Sequence, residues 1–372
     1  MVSRPSVVVV GAGIVGCTVA YELAKSGAVV EVIETRTPGQ GATRASAGIL
    51  APYIEGHSSE TLRSLGKRSL DLYDDFIALL RVDGGEDVIY QRNGTFELAL
   101  CDEDATRLKE LAAVLAREGI ESHWLGASQF AGIEPHANPH ANGGLLIPTH
   151  GFVGVTALTL AAAQSARRFG TRFSTDTGAI RIFAAPGNCV GVETSSGTRD
   201  ADRVVLAAGS WSSQIIVEGA EPIPVKPIRG QLIQLQADPG LVRRVMWGPD
   251  GYLVPWPDGS VLVGSTVEDV GFDESSTPEA VEKLRAAAVS LVPGLSTAAM
   301  SGVRTGLRPK GPDDVPIIGR SSVVPGLIYS TAHYRNGVLF TPLTVQLVRD
   351  LVFDTGADTA LRDLDPARVG KL

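Results

Sequence analysis

A five-part pattern at the start of the chain limits what it can fold into more than any other feature. Val7 to Val10 read as a short buried strand, β-branched and closed by glycine. Gly11-Ala12-Gly13-Ile14-Val15-Gly16 follows at once, then a helix to Lys25 with apolar spacing Val15, Val19, Leu23 and a stop at Ser26-Gly27. A second strand, Ala28 to Ile33, ends in Glu34. Gly11 permits a tight turn, Gly13 lets backbone approach a pyrophosphate, and Gly16 lets the helix pack on the strand. The helix N-terminus offers free N–H groups to phosphate oxygens. Glu34, 18 residues after Gly16, is placed to accept ribose hydroxyls. The complete strand–turn–helix–strand–acid context predicts dinucleotide binding and leaves FAD and NAD both open. Arg36 reads as a surface arginine rather than a 2′-phosphate ligand.

Composition matters here for what it excludes. With 44% apolar residues the 372-residue chain can bury a sizeable core, and its length suits two domains or one large α/β domain with an insertion. A net charge of −8 without a basic run argues against nucleic acid. Three scattered cysteines, Cys17, Cys101 and Cys189, make no disulfide framework. The N-terminus lacks signal-peptide form, and no apolar stretch is long enough to span a bilayer, so a cytoplasmic location is expected.

Further along, Gly39 to Pro52 is small and glycine-rich, suited to backbone lying close to something large and flat. Residues 60 to 81 read as one helix, Asn93-Gly94 as a hairpin turn within Tyr90 to Leu100, and Asp102 as the cap of a helix from about Glu103 to Glu118. The tandem Pro135-His136-Ala137-Asn138 and Pro139-His140-Ala141-Asn142 reads as a loop, since Pro139 breaks any helix aligning the two histidines as metal ligands. His57, His123 and His150 stand alone, and no metal site is expected. A helix from Val155 to Phe169 precedes strands at Ala179 to Phe183, Cys189 to Glu193 and Arg203 to Ala208. Gln231 to Gln236 alternates like a half-exposed strand. Tyr252 to Pro255 and Ser260 to Gly264 flank a Pro257-Asp258-Gly259 hairpin. Thr277-Pro278 opens a helix to about Leu291, and Ile328 to Thr331 leads into a last helix from about Val338 to Phe353. The fold class is therefore α/β in two domains: a Rossmann-type nucleotide-binding domain (1–82, 145–222, 300–372) interleaved with a sheet-rich substrate domain (83–144, 223–299).

The chain resembles the FAD-dependent amine oxidoreductases of the D-amino-acid oxidase superfamily, and within it the glycine oxidases. The resemblance runs over nearly the whole length. It includes Gly11–Gly16, Glu34, Ala47 to Leu50, Arg203 to Trp211, Val263 to Thr266, Gly306 to Pro309, Pro316 to Gly319, and His333-Tyr334-Arg335-Asn336-Gly337. It implies bound FAD, held non-covalently because no cysteine stands where some relatives attach the flavin. Gly11, Gly13, Ile14, Val15 and Gly16 would hold the pyrophosphate, and Glu34 and Thr35 would face the adenosine ribose. Ala42, Thr43, Ala47, Gly48 and Ile49 would run beside the ribityl chain and ring. Ala179 would meet the adenine, and Ala208 and Gly209 would close over the cofactor. His333, Tyr334, Arg335, Asn336, Gly337 and Val338 would set a helix N-terminus at the flavin's pyrimidine edge. Arg308 would grip a substrate carboxylate in two parallel hydrogen bonds, Tyr252 would donate to the same carboxylate, and Arg335 would contact substrate or cap the flavin site.

The activity so implied is oxidation of glycine, sarcosine or small D-amino acids by hydride transfer from Cα to flavin N5. The products would be imine or oxo acid, ammonia and, with molecular oxygen as acceptor, hydrogen peroxide. The alternative is a D-amino-acid dehydrogenase passing electrons to a quinone or carrier. The resemblance also implies a role in forming the thiazole of thiamine, and a homo-oligomer, often a tetramer. Val267 and Asp250 fall in the stretch expected to line the pocket. Lys226 and Lys310 have no evident role in oxygen activation.

Overall fold

The structure, a computed structural model, describes residues 4–55, 59–84, 87–356 and 358–372. His57 lies outside the described residues.

A six-stranded sheet carries the nucleotide motif. Its centre is Ser6–Val10, paired in parallel with Val29–Ile33 on one side and Arg203–Leu206 on the other. Arg172–Ser174 and Leu327–Thr331 extend it in parallel, and Ile317–Arg320 closes it antiparallel. The run of valines serves two cores. Val7 and Val9 point into a helical layer of Ile14–Lys25, Val155–Arg168 and Thr341–Phe353. Val8 and Val10 point into a cluster shared with a four-stranded sheet that includes Ala179–Ala185 and Cys189–Thr194. A strand buried on both faces has no polar alternate positions, which is why this one reads as a continuous apolar run. The chain leaves Ser6–Val10 toward one side and returns on the other at Arg203–Leu206. The loops after these two strands therefore diverge and open a crevice at their carboxyl ends.

An eight-stranded sheet forms the second core. Its backbone is the long antiparallel pair Lys226–Gln236 and Ala299–Lys310, in which Gly230 faces Gly306 and Ile228 faces Arg308. Ser260–Gly264, Gly251–Pro255, Val245–Gly248, Thr95–Ala99, Gly143–Ile147 and His123–Gly126 follow in order. Helix Pro278–Leu291 packs Leu284, Ala288 and Leu291 against Ile233, Leu235 and Val263. The strands Gly143–Ile147 and Ala299–Lys310 run across the boundaries drawn in sequence at 145 and 300.

Several local expectations need correction. Asn93-Gly94 is no hairpin. Tyr90–Gln91 pairs with Gly151–Val153, and Thr95–Ala99 with Gly143–Ile147, so the turn passes the chain between sheets. The helix over 60–81 is broken at Leu72 into Glu60–Asp71 and Tyr73–Gly84. Cys101, not Asp102, is the N-cap of Asp102–Arg117, leaving Asp102 in the first turn, where its charge suits the helix dipole. Lys226–Gln236 is buried almost throughout, because both its faces are packed: helix Pro278–Leu291 covers Ile233 and Leu235, and Leu232 on the other face joins a cluster with Ala47 and Phe152. The Asp258-Gly259 hairpin and the Thr277 cap are as expected, Thr277 Oγ1 accepting from the Ala280 N–H. The last helix starts at Thr341, with Pro342 in its first turn.

Candidate active site

The crevice begins at the glycine turn. Gly11 has φ of +104°, and a Cβ there would stand 2.5 Å from the Ala207 carbonyl oxygen, so both conformation and space require glycine. Gly13 is the N-cap of helix Ile14–Lys25 and brings no side-chain cap. The Ile14 N–H donates to Thr43 Oγ1 at 3.0 Å, which ties the turn to the small-residue stretch beyond Gly39. Gly13, Ile14 and Val15 line the crevice. Gly16 does not. Its Cβ would fall 1.9 Å from the Gly11 carbonyl oxygen, so it lets the helix lie on the turn rather than holding a ligand. Glu34 also shapes the turn: one carboxylate oxygen accepts from the Ala12 N–H at 2.7 Å, the other from the Arg36 N–H at 3.0 Å. Glu34, Thr35 and Ala179 line this end. The Arg36 guanidinium is engaged elsewhere, on Glu274 at 2.6 Å and over the Trp211 ring.

The middle of the crevice is built of small residues. Ala42, Thr43, Ala47, Gly48 and Ile49 form one wall, Ala208 and Gly209 the other. Gly48 has φ of +74°, and a Cβ would meet the Val153 carbonyl at 1.9 Å. Gln40, Trp211 and Gln214 line it as well, without a motif to announce them. Ser330 also lines this space, and its Oγ is buried with no hydrogen-bond partner among the described residues.

Arg308 and Tyr252 stand together at the far end. The two terminal nitrogens of Arg308 donate to Ser265 Oγ at 2.7 Å and to the Thr266 carbonyl at 3.0 Å, with a longer contact to the Arg229 carbonyl. No carboxylate stands within ion-pair distance of Arg308 among the described residues. The nearby acids Glu268 and Asp273 are taken by the buried Arg229. One arginine is thus neutralised and the other is left cationic toward the crevice. The Tyr252 ring leans on Trp247, centroids 4.8 Å apart.

The stretch from His333 to Val338 completes this end. Ala332 and Tyr334 hold left-handed backbone, φ +60° and +46°. The Tyr334 N–H donates to the Pro309 carbonyl at 2.9 Å, so the turn is bonded directly to the strand bearing Arg308. Ser210 Oγ donates to the Leu307 carbonyl, joining the Ala208–Gly209 loop to the same strand. His333 is buried, its Nε2 3.1 Å from Thr344 Oγ1, and burial pushes its pKa down to about 4, so it is neutral at neutral pH. Arg335 is exposed but lines the crevice. Regular helix starts only at Thr341, so the expected helix N-terminus at Val338 is replaced by a turn in which the Phe340 N–H bonds the Asn336 carbonyl.

Val267 and Asp250 are exposed and do not line the crevice, contrary to expectation. Lys226 and Lys310 are also outside it; Lys310 pairs with Asp314. None of the three cysteines reaches it. No cluster with metal-ligand character occurs among the described residues. Gly230, Ser265 and Thr266 are site features that local sequence does not reveal. Val263–Thr266 reads only as part of a family pattern, and its place at the guanidinium depends on the pairing Leu232 to Gly264.

A cleft with an uncapped helix end at a glycine turn, a long wall of small residues and an orphaned serine fits FAD. Residues 6–351 match the family model described as DAO, FAD dependent oxidoreductase, and the chain belongs to that family. It is an FAD-dependent enzyme similar over its whole length to glycine oxidases. The glycine oxidase of Pseudomonas aeruginosa is 31% identical over 98% of this chain and 99% of its own length. The crystal structure of glycine oxidase from Geobacillus kaustophilus superposes with a TM-score of 0.94 at 29% identity, covering 98% of this chain and 99% of that one. The bifunctional protein ThiO/ThiG of a Nostoc species is 32% identical over 98% of this chain, which spans only 55% of that protein's length.

Proposed function

We propose that the protein oxidises glycine, sarcosine or a small D-amino acid to the imine, which hydrolyses to oxo acid and ammonia, or to oxo acid and methylamine where sarcosine is the substrate. The observation that carries this reading is Arg308: a guanidinium without an acidic partner, held from one side by Ser265 and Thr266, in the same crevice as the glycine-built nucleotide turn. A planar fork of this kind matches an α-carboxylate. The Tyr252 hydroxyl is the second donor, and together the two would fix the substrate by its carboxylate and hold it in one orientation in the crevice. FAD, held non-covalently by the residues of the turn and the small-residue wall, supplies the two-electron acceptor for the hydride, and its reoxidation by molecular oxygen would release hydrogen peroxide. The chain's own contribution is orientation. His333 is buried against Thr344 and neutral, so it adds no charge beside the crevice. Similarity to the ThiO/ThiG protein supports a role in supplying the imine for the thiazole of thiamine; a homo-oligomeric state is proposed with it. In this reading the nucleotide-binding and substrate-binding parts divide after Ile147 and after Lys310, where the eight-stranded sheet ends.

Anaerobic mixing of the yellow protein with glycine, sarcosine, D-alanine and D-proline ranks substrates by the rate of flavin bleaching. Arg308→Ala is expected to abolish bleaching while FAD stays bound; bleaching at the wild-type rate would end the assignment. An oxygen electrode trace with glycine decides the acceptor: bleaching without oxygen uptake means electrons go to a quinone or carrier.

A further inference from the structure

We infer that Gly230 and Ser265 are positioning residues that set where the Arg308 guanidinium lies, with Gly264 doing the same for Tyr252. This rests on reading Arg308 and Tyr252 as the carboxylate clamp. Gly230 does not need glycine for its backbone, whose φ lies outside the left-handed region. It needs it for space. A Cβ at 230 would stand 2.2, 2.3 and 2.4 Å from Nη1, Nη2 and Cζ of Arg308, so the guanidinium lies directly against bare backbone. The register explains how. Arg308 pairs with Ile228, and its side chain reaches along the neighbouring strand to 230. On the other side of the clamp a Cβ at Gly264 would fall 2.4 Å from both Cζ and the hydroxyl oxygen of Tyr252. Two bare positions on adjacent strands thus set the depth of both donors.

Depth alone leaves the guanidinium free to rotate. Ser265 removes that freedom by accepting from Nη2 at 2.7 Å, while Thr266 accepts from Nη1. Nη2 keeps its second N–H, and Nε–H is also unspent. Because the groups crowding a new Cβ are the far ends of two side chains rather than backbone, alanine at 230 or 264 would displace the clamp while the strands stay paired. The effect falls on ligand binding, not on folding.

The test uses the FAD-loaded protein and acetate as a minimal carboxylate, followed by the change in the visible flavin spectrum. Gly230→Ala is expected to raise the acetate Kd and the KM for glycine by about tenfold or more, the loss of a charge-assisted hydrogen bond, with FAD content and melting temperature unchanged. Ser265→Ala should raise both several-fold, and Ser265→Thr, which restores an acceptor, should recover them. Wild-type acetate affinity in Gly230→Ala and Ser265→Ala, beside its loss in Arg308→Ala, would overturn the positioning role and leave the clamp standing. Loss of FAD together with acetate binding in the same variants would assign them a merely structural role and also overturn it. Wild-type acetate affinity in Arg308→Ala would overturn the clamp itself.

Discussion

Gly16 shows what a single residue does at a distance from ligand. Its missing Cβ lets the first helix sit on the Gly11 carbonyl, and so fixes where that helix aims its N–H groups. Gly16→Ala should cost about 1–3 kcal/mol of stability as an overpacked backbone contact, and reduce the FAD retained on purification. A melting curve and the flavin-to-protein absorbance ratio check both. At this scale the sequence is legible where one short segment carries both cause and effect. The turn Gly11 to Gly16 and the terminal acid Glu34 are of this kind. Arg308 is legible as a charged residue between Leu307 and Pro309, but what makes it free for substrate is not: Glu268 and Asp273 lie in another loop and choose Arg229 instead. Ser265 and Gly230 are invisible for the same reason, since each acts across a strand pairing.

Among the elements, those whose ends are set by their own residues match the sequence reading. Helix Pro278–Leu291 begins where Thr277 caps it and Pro278 fixes the first turn. Thr277→Ala should lower stability by about 1 kcal/mol, read as a shift in the denaturation midpoint, and Thr277→Ser should not. Elements decided by their neighbours do not match. Asn93-Gly94 has hairpin chemistry, yet the strand after it finds Gly143–Ile147 and the strand before it finds Gly151–Val153. The alternation in Gln231 to Gln236 suggests a wet face, but the strand is packed on both sides, by helix Pro278–Leu291 on Ile233 and Leu235 and by Ala47 and Phe152 about Leu232. The start of the last helix moves from Val338 to Thr341: left-handed backbone at Tyr334, whose N–H is bonded to the Pro309 carbonyl of the strand beside it, and isolated turn bonds such as Phe340 to Asn336 precede the regular helix.

For the molecule as a whole, two buried histidines set the response to acid. Burial pushes His333 down to about 4 and His150 to about 3; His150 is hydrogen-bonded to Thr95 and stacked on Tyr53. Unfolded histidines take protons near pH 6.5, whereas these two stay neutral in the folded chain well below that. The unfolded state therefore binds more protons in this window, and stability is lost as pH falls from 6.5 toward 4. The melting temperature should drop across that range, and His150→Asn should flatten the slope; a level profile in the wild type would contradict it. The order of strands has a consequence for synthesis. Ser6–Val10 can pair with Val29–Ile33 soon after both are made, but its other neighbour, Arg203–Leu206, comes much later, and Leu327–Thr331 and the turn beyond Arg308 later still. One edge of an apolar strand therefore waits for its neighbour while about 170 further residues are made, an exposure that favours misassembly until Arg203–Leu206 closes it.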